Sequence, residues 1–588
     1  MDQWQGGRIE SVATFNFNIN IVIVINSKFY IIAGAVLQLA FGAGCKKSKV
    51  EPTPVPPTPP AVLKLNSFEI NGQTVARPDR VQYDVPVNST IRLKFSKAVN
   101  YSTLAGNIRL QAYSTTVPVN ISFSGTDSSQ VLLTPASTLQ HIYPYSLAVL
   151  SGTKAKDGSA IDKQYGLSFS TRIDSSNKFP VVSDSVLLDI VQQQTFKYFW
   201  DYGHPVSGLA RERSNSGSET VTSGGSGFGL MCIPAGINRN FITRSEGLQR
   251  MQTIVGFLKN TAQKFHGAFP HWLNGTTGTV IPFSTKDNGA DLVETSYLIA
   301  GLLTTRQFFN GADAIETALR SDINSIVDNV EWDWFRNGGQ NVLFWHWSPT
   351  YNWEMNLPIR GWNECLITYI MAASSTTHSI PQAVYTNGFA RNGAMQNGAV
   401  YYGYNLPLGP ANGGPLFLSH YSFLGVNPNG LSDPYANYQT QVVNHTKINY
   451  EYCKANPLGY FGYSNSSWGL TASDVFNGYR ANSPSDDQGY IAPTAALSSF
   501  PYTPAESMNA LKFFYYTMGD KLWGAYGFKD AYTLNFPQWF ADSYLAIDQG
   551  PVVIMIENYR TGLIWNLLTS CPEVKSGMRT LGFSAPYL

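Results

Sequence analysis

The feature that most constrains this chain is a change of apolar period between Arg172 and Asp184. Before it, apolar residues alternate with polar ones, as in Ile91, Leu93 and Phe95 against Arg92 and Lys94. After it, they recur at the helical interval in long segments such as 186–202 (VLLDIVQQQTFKYFWDY), 247–265 (GLQRMQTIVGFLKNTAQKF) and 550–568 (GPVVIMIENYRTGLIWNLL). Period 2 gives one buried face to a strand and period 3.6 gives one to a helix, so one layer cannot serve both. The chain therefore divides into a β domain, 62–172, and a mainly α domain, 185–588. Roughly ten to twelve helices joined by long loops rich in Gly, Asn, Pro and Trp imply antiparallel helical hairpins. A closed ring of six such hairpins, an (α/α)6 toroid, is the expected fold. An open solenoid is the alternative, but no fixed-length repeat supports it.

In the β domain, Tyr145, Leu147 and Val149 alternate like the first run, and Asp157-Gly158 marks a turn. Several short strands in this length predict a small β-sandwich. The segments STIRLKFSKAV (89–99), LLTPAS (132–137) and LSFST (167–171) resemble a bacterial Ig-like domain. This domain has no carboxylate cluster and no tryptophan, so its expected role is a spacer or docking module.

Upstream, Lys28 precedes the apolar run 29–43, which ends at Gly44-Cys45-Lys46. A basic residue, a short apolar run and small residues form a secretory signal. The run is too short for a comfortable membrane span. Small residues directly before Cys45 resemble a lipobox, although Gly42 stands where Leu is usual. Cys45 would then carry the lipid, ending a signal segment of residues 1–45. The linker 46–61 contains EPTPVPPTPP and favours stiff polyproline II. The expectation is an exported protein, lipid-anchored in the outer membrane and facing the periplasm or the cell surface.

Composition narrows the chemistry. Lys and Arg number 40 and Asp and Glu 39, leaving a net charge of +1. Such a chain has no electrostatic reason to seek nucleic acid. Apart from Trp4, every Trp lies at or beyond Trp200, so aromatic surface for stacking on sugar rings belongs to the α domain. No HExxH, GxSxG or P-loop occurs, and Gly225-Ser226-Gly227-Phe228-Gly229 follows no strand pattern. The five cysteines form no CxxC pair and the eight histidines show no zinc spacing, so no metal or cofactor is expected.

Two carboxylate sets are candidates. Asp287, Asp291 and Glu294 fall at i, i+4 and i+7, which puts them on one face of a helix. Crowded carboxylates raise one another's pKa and suit acid–base work. A solvated acidic helix start is the plain alternative. Glu364 stands at an expected helix start after Trp362 and the aromatic run LFWHWSPTYNW. There it is either a first-turn cap or a carboxyl desolvated enough to act as a general acid. Trp272, Trp345, Trp347, Trp353, Trp362 and Trp468 sit in or beside loops, placed either to stack on sugars or to pack the loops. Asp548 and Gln549 mark a loop-to-helix junction, with Pro551 suited to the first turn. Glu557 lies in an apolar helix and needs a partner, for which Arg560 is at hand.

The segments 223–244 (SGGSGFGLMCIPAGINRNFITR), 291–303 (DLVETSYLIAGLL), 347–364 (WSPTYNWEMNLPIRGWNE), 468–474 (WGLTASD) and 546–565 (AIDQGPVVIMIENYRTGLIW) resemble the glycoamylase-like family of bacterial glycoside hydrolases, which includes endo-β-1,2-glucanases. The resemblance runs from about residue 185 to the C-terminus. It implies the (α/α)6 toroid and hydrolysis of a β-linked glucan, β-1,2-glucan first, to short oligosaccharides, with no cofactor. It also implies that Glu364, Asp287, Asp291 and Glu294 lie in the cleft, with Glu364 as general acid and the base undecided. Arg360, Asp474, Asp548, Gln549 and Glu557, with the tryptophans, become substrate-binding candidates. Inversion is the expected stereochemistry, with the two carboxyls about 6.5–9.5 Å apart. The expected state is a monomer that meets the membrane only through its lipid. Two rivals remain: a non-catalytic glycan-binding lipoprotein, which needs no acid cluster, and a polysaccharide lyase, which needs basic residues beside a uronate.

Overall fold

The computed structural model describes residues 62–588. The signal segment with Cys45 and the proline-rich linker 46–61 lie outside the described residues.

Ten strands form the N-terminal sandwich: β1 (Leu65–Ile70), β2 (Gln73–Thr74), β3 (Gln82–Val85), β4 (Ile91–Phe95), β5 (Ile108–Ala112), β6 (Thr115–Val117), β7 (Val119–Ser124), β8 (Asp127–Pro135), β9 (Pro144–Val149) and β10 (Tyr165–Thr171). They pair as two five-stranded sheets, β2-β1-β4-β8-β7 and β3-β10-β9-β5-β6. Ile91, Leu93 and Phe95 point inward onto Val131, Leu133, Leu147 and Phe169, all buried. On the other face of β4, Arg92 and Lys94 close on the buried Glu69, which the Lys94 hydrogen bond, against the opposing effect of burial, holds below the usual carboxylate range.

The rest of the chain is helical, with short hairpins in the connections. Helices of eight residues or more among the described residues are α1 (Asp184–Trp200), α2 (Ser223–Asn238), α3 (Arg244–Asn260), α4 (Leu292–Phe308), α5 (Ala314–Asp328), α6 (Leu366–Ser374), α7 (Tyr438–Ala455), α8 (Pro504–Lys512), α9 (Ala546–Thr561), α10 (Leu563–Ser570) and α11 (Pro572–Leu581). Their starts carry local signals. Ser183 caps α1 by accepting from the Val186 N–H, Thr243 and Glu246 form a capping box on α3, and Asp313 caps α5.

Helix α2 is the exception to local signals. It opens on SGGSG, a poor helix former. Packing decides instead: a Cβ on Gly227 would lie 2.2 Å from the Tyr297 carbonyl, and one on Gly301 2.3 Å from the Gly227 carbonyl. The glycines let α2 and α4 touch backbone to backbone, which offsets the lost propensity.

Helix α2 packs on α4 and on α9, α4 on α6, and α9 on the short helix Pro493–Leu497. The turn Tyr421–Phe423 lies beside α6, where the Ile367 N–H donates to Ser422 Oγ at 3.1 Å. His420 Nε2 meets Ser499 Oγ at 3.0 Å, and Tyr502 Oη donates to the Ser419 carbonyl at 3.1 Å. These contacts link neighbours in the order α2, α4, α6, 416–424, 493–500, α9 and back to α2.

One junction differs from the sequence expectation. Helix α9 begins at Ala546, so Asp548 is in its first turn and Pro551 lies inside it. Gly550 serves packing rather than a boundary, since a Cβ there would meet Phe228 of α2 at 2.6 Å. Among the described residues, no helix is long and apolar enough to cross a membrane. The sandwich touches the helical part through Tyr83, which stacks on Phe461 at 4.9 Å and accepts from the Phe536 N–H at 3.0 Å, and through Ser170, which bonds Gln538.

Candidate active site

The helices that neighbour one another in that order bring their N-terminal ends to one site. Thr222 and Gly224 open α2, Asp291 and Glu294 open α4, Glu364 precedes α6, and Asp548 lies in the first turn of α9. Unpaired N–H groups and the positive end of each helix dipole favour carboxylates there.

Asp287, Asp291 and Glu294 converge, but not along one helix face as their spacing implies. Helix α4 starts at Leu292, and Asp291 is its extended cap. Residues 290–291 pair with 346–347, Ala290 opposite Trp347 and Asp291 opposite His346. Gly289 allows this approach, since a Cβ there would lie 2.2 Å from the Trp347 carbonyl. Asp291 Oδ1 accepts from the Val293 and Glu294 N–H groups, both at 3.0 Å. Its Oδ2 faces His271 Nδ1 at 3.0 Å and His346 Nδ1 at 3.8 Å. Asp287 Oδ1 faces His346 Nδ1 at 3.3 Å. Glu294 Oε2 accepts from the Gly224 N–H at 2.7 Å and from Thr222 Oγ1 at 3.2 Å.

These surroundings drive the acidities apart. Burial pushes Asp291 up, but His271 and His346 hold it below the usual carboxylate range. Burial would lower His271, yet the Glu294 charge and the Asp291 hydrogen bond lift it to about 10. Burial raises Glu294. Glu364 is raised to about 7, by burial first and then by the charges of Glu294 and Asp291. It sits two residues before the first residue of α6, so it is not a first-turn cap. Its carbonyl accepts from Ser422 Oγ at 2.5 Å, which fixes the backbone.

A second group of acids lies across the site. Arg213 donates to Glu212 at 3.0 Å and to Asp474 Oδ1 at 3.0 Å. Asp474 Oδ2 accepts from Ser543 Oγ, and the Asp474 N–H donates to Asp530 Oδ2, both at 2.5 Å. One guanidinium cannot balance four carboxylates in so dry a place. Accordingly, burial and the Asp474 charge raise Asp530 to about 7, and burial and the Asp530 charge raise Asp548 well beyond the carboxylate range. Tyr421 feels both groups, through Asp548 on one side and Glu364 and Glu294 on the other. Its buried hydroxyl has no partner among the described residues, and neither does Trp272 Nε1. Phe283, 47% exposed, packs on His271 at 4.3 Å and on Trp272 at 4.8 Å.

Sequence comparison matches the Glycoamylase family model to residues 356–572 and a bacterial Ig-like domain model to 74–171. The endo-β-1,2-glucanase from Chitinophaga pinensis, solved with sophorotriose and glucose, is 51% identical with a TM-score of 0.68, covering 69% of this chain and 100% of that one. The chain belongs to the glycoamylase-like family. A β-1,2-glucanase from Parabacteroides distasonis is 37% identical with a TM-score of 0.66, covering 90% of this glycoamylase-like chain and 74% of the other. A curated relative, the exo β-1,2-glucooligosaccharide sophorohydrolase (non-reducing end) of Parabacteroides distasonis, is 44% identical over 444 residues, or 72% of this chain. The chain spans 61% of the length of that relative.

Several candidates of this glycoamylase-like chain lie elsewhere than the sequence implies. Trp468 is fully buried in a core and donates to the Glu506 carbonyl, so it is no stacking platform. Trp362 is buried against Phe423 and Tyr438. Trp347 and Trp353 pack with Trp334, and Trp345 stacks on His346. Gln549 is buried and donates to the Phe528 carbonyl, whereas Arg360 is exposed. Glu557 bonds Arg239 at 2.7 Å, Asn238 at 2.8 Å and Thr561 at 2.7 Å, deep in the helical packing. Arg560, the partner implied by spacing, bonds Asp189 instead. Cys232, Cys365, Cys453 and Cys571 are buried free thiols.

The site also holds residues that spacing did not reveal: His271, His346, Glu212, Arg213, Asp530 and Tyr421. His346 had a signal, lying between Trp345 and Trp347 in an aromatic run. Asp530 had none, because only tertiary packing sets it beside Asp474.

Proposed function

We propose that this protein hydrolyses β-1,2-glucan to short oligosaccharides, with Glu364 as general acid. The observation that carries the reading is Glu364 itself, a buried carboxyl whose pKa is raised to about 7 in the same cleft as Asp291, which two histidines hold below the usual carboxylate range. Protonated, it can give its proton to the glycosidic oxygen as the bond breaks. Asp291 supplies negative charge for the positive transition state, and Asp287 and Glu294 are candidates for activating water. The unpartnered Tyr421 hydroxyl and Trp272 indole, with the exposed Phe283 ring, offer hydrogen bonds and a stacking face to glucose units. The β-1,2 linkage is taken from what the relatives act on.

The order of helix neighbours supports a closed (α/α)6 toroid, with the site at one mouth of the ring. The apolar run ending at Gly44-Cys45 supports export and lipid anchoring, with the proline-rich linker holding the domains off the membrane. The decisive experiment is a panel of β-1,2-, β-1,3-, β-1,4- and α-1,4-glucans with product sizing and anomeric NMR. Release of sophoro-oligosaccharides from β-1,2-glucan alone is expected. Binding without cleavage would leave a glycan-capture protein.

A further inference from the structure

We propose that His271, His346, Asp287 and Asp291 form a binding site for one borderline transition-metal dication such as Zn²⁺. Ligand atoms of His271, Asp287 and Asp291 all lie within 4.8 Å of one another. His271 Nδ1 is 3.0 Å from Asp291 Oδ2, and His346 Nδ1 is 3.3 Å from Asp287 Oδ1 and 3.8 Å from Asp291 Oδ2. A tetrahedral ion with bonds of about 2.0–2.1 Å sets its ligand atoms about 3.3 Å apart. These three separations lie on either side of that value, and His346 stands against the two carboxylates, outside the group of three whose ligand atoms are mutually within 4.8 Å.

A second observation also points to a ligand. Asp287 Oδ1 and His346 Nδ1 are buried without a hydrogen-bond partner among the described residues. Their side chains are 3% and 9% exposed and face each other. Two buried groups that meet without a hydrogen bond are costly, and an ion between them would satisfy both.

The donor set selects the metal class. Two imidazole nitrogens and two carboxylate oxygens suit Zn²⁺ and its neighbours, whereas Mg²⁺ and Ca²⁺ take oxygen ligands. The two carboxylates neutralise the dication. Asp291 is oriented for the task by the Val293 and Glu294 N–H groups on its other oxygen. His271, 24% exposed, gives the ion a way in. Spacing could not disclose the site, because residues 271, 287, 291 and 346 come from three separate segments.

The ion would tie up Asp287 and Asp291 and so inhibit hydrolysis. That consequence rests on the proposed activity, whereas binding does not. Calorimetric titration of ZnCl₂ into the full chain tests binding directly. One equivalent should bind, and should bind equally to Glu364→Gln. Asp287→Asn and His346→Gln should each weaken it by at least about tenfold, while His378→Gln, at an exposed His–Asp pair, should leave it unchanged. Neither Mg²⁺ nor Ca²⁺ should compete. Co²⁺ bound to wild-type protein should give the intense visible absorption of a four-coordinate ion, a readout that does not depend on any variant folding. Absence of saturable Zn²⁺ binding, weak octahedral Co²⁺ absorption, or undiminished affinity in both site variants would overturn the proposal.

Discussion

Glu364 and Asp291 are both carboxyls in one cleft, and their neighbours separate them. Asp291 has two N–H donors and two imidazoles, so it stays ionised. Glu364 has burial and nearby negative charge, so its proton is retained up to about 7. A general acid works only while protonated. The kcat/KM of the wild type should therefore fall as pH rises through about 7, and pH–rate profiles on β-1,2-glucan check this. A profile flat to pH 9 would remove Glu364 from that role. The sequence made Asp287, Asp291, Glu294 and Glu364 legible because they stand in segments with few other charges. It did not place His271 or His346 in the cluster: His346 arrives through the pairing of 346–347 with 290–291, and His271 stands just before the strand Trp272–Asn274. It also gave no way to separate Trp272, beside an exposed ring, from Trp468, which fills a core.

Helices α2 and α4 meet through Gly227 and Gly301, and the site hangs on that contact because Thr222, Gly224, Asp291 and Glu294 open the two helices. On an exposed helix, Gly to Ala stabilises by about 1 kcal/mol. Here the added methyl would press on the Gly227 carbonyl, and overpacking costs about 1–3 kcal/mol. Gly301→Ala should thus lower the melting temperature and reduce activity; a stabilised variant would show that the helices can separate freely. Helix α4 was legible from its apolar period. Helix α2 was not, because SGGSG carries no helical propensity and its form is imposed by the partner backbone. The start of α9 was misplaced for a related reason: Gly550 and Pro551 look like a boundary in sequence, but Gly550 is a close contact with Phe228.

At the scale of the molecule, the β-sandwich touches the helical part at Phe461, Phe536 and Gln538, none of which is a residue of the cleft. A chain beginning at Asn177 should fold, keep its kcat and lose a few degrees of melting temperature; a folded but inactive product would mean that the sandwich completes the site. Cys45→Ser should move the protein from the membrane fraction to the soluble fraction with hydrolysis unchanged, as fractionation and assay would show. The division into sandwich and helices was legible because period 2 and period 3.6 differ along the whole chain. The order of helix neighbours was not, since periodicity says which face is buried but not against what. The central claim is that a protonated Glu364 breaks a β-1,2 linkage, and it is tested most directly by the kcat of Glu364→Gln on polymeric β-1,2-glucan. General acid assistance contributes about 10²–10⁴-fold, so kcat should fall by that factor with KM little changed, and turnover of a dinitrophenyl glycoside, whose leaving group needs no proton, should survive. Near-wild-type turnover of the polymer by Glu364→Gln would contradict the account.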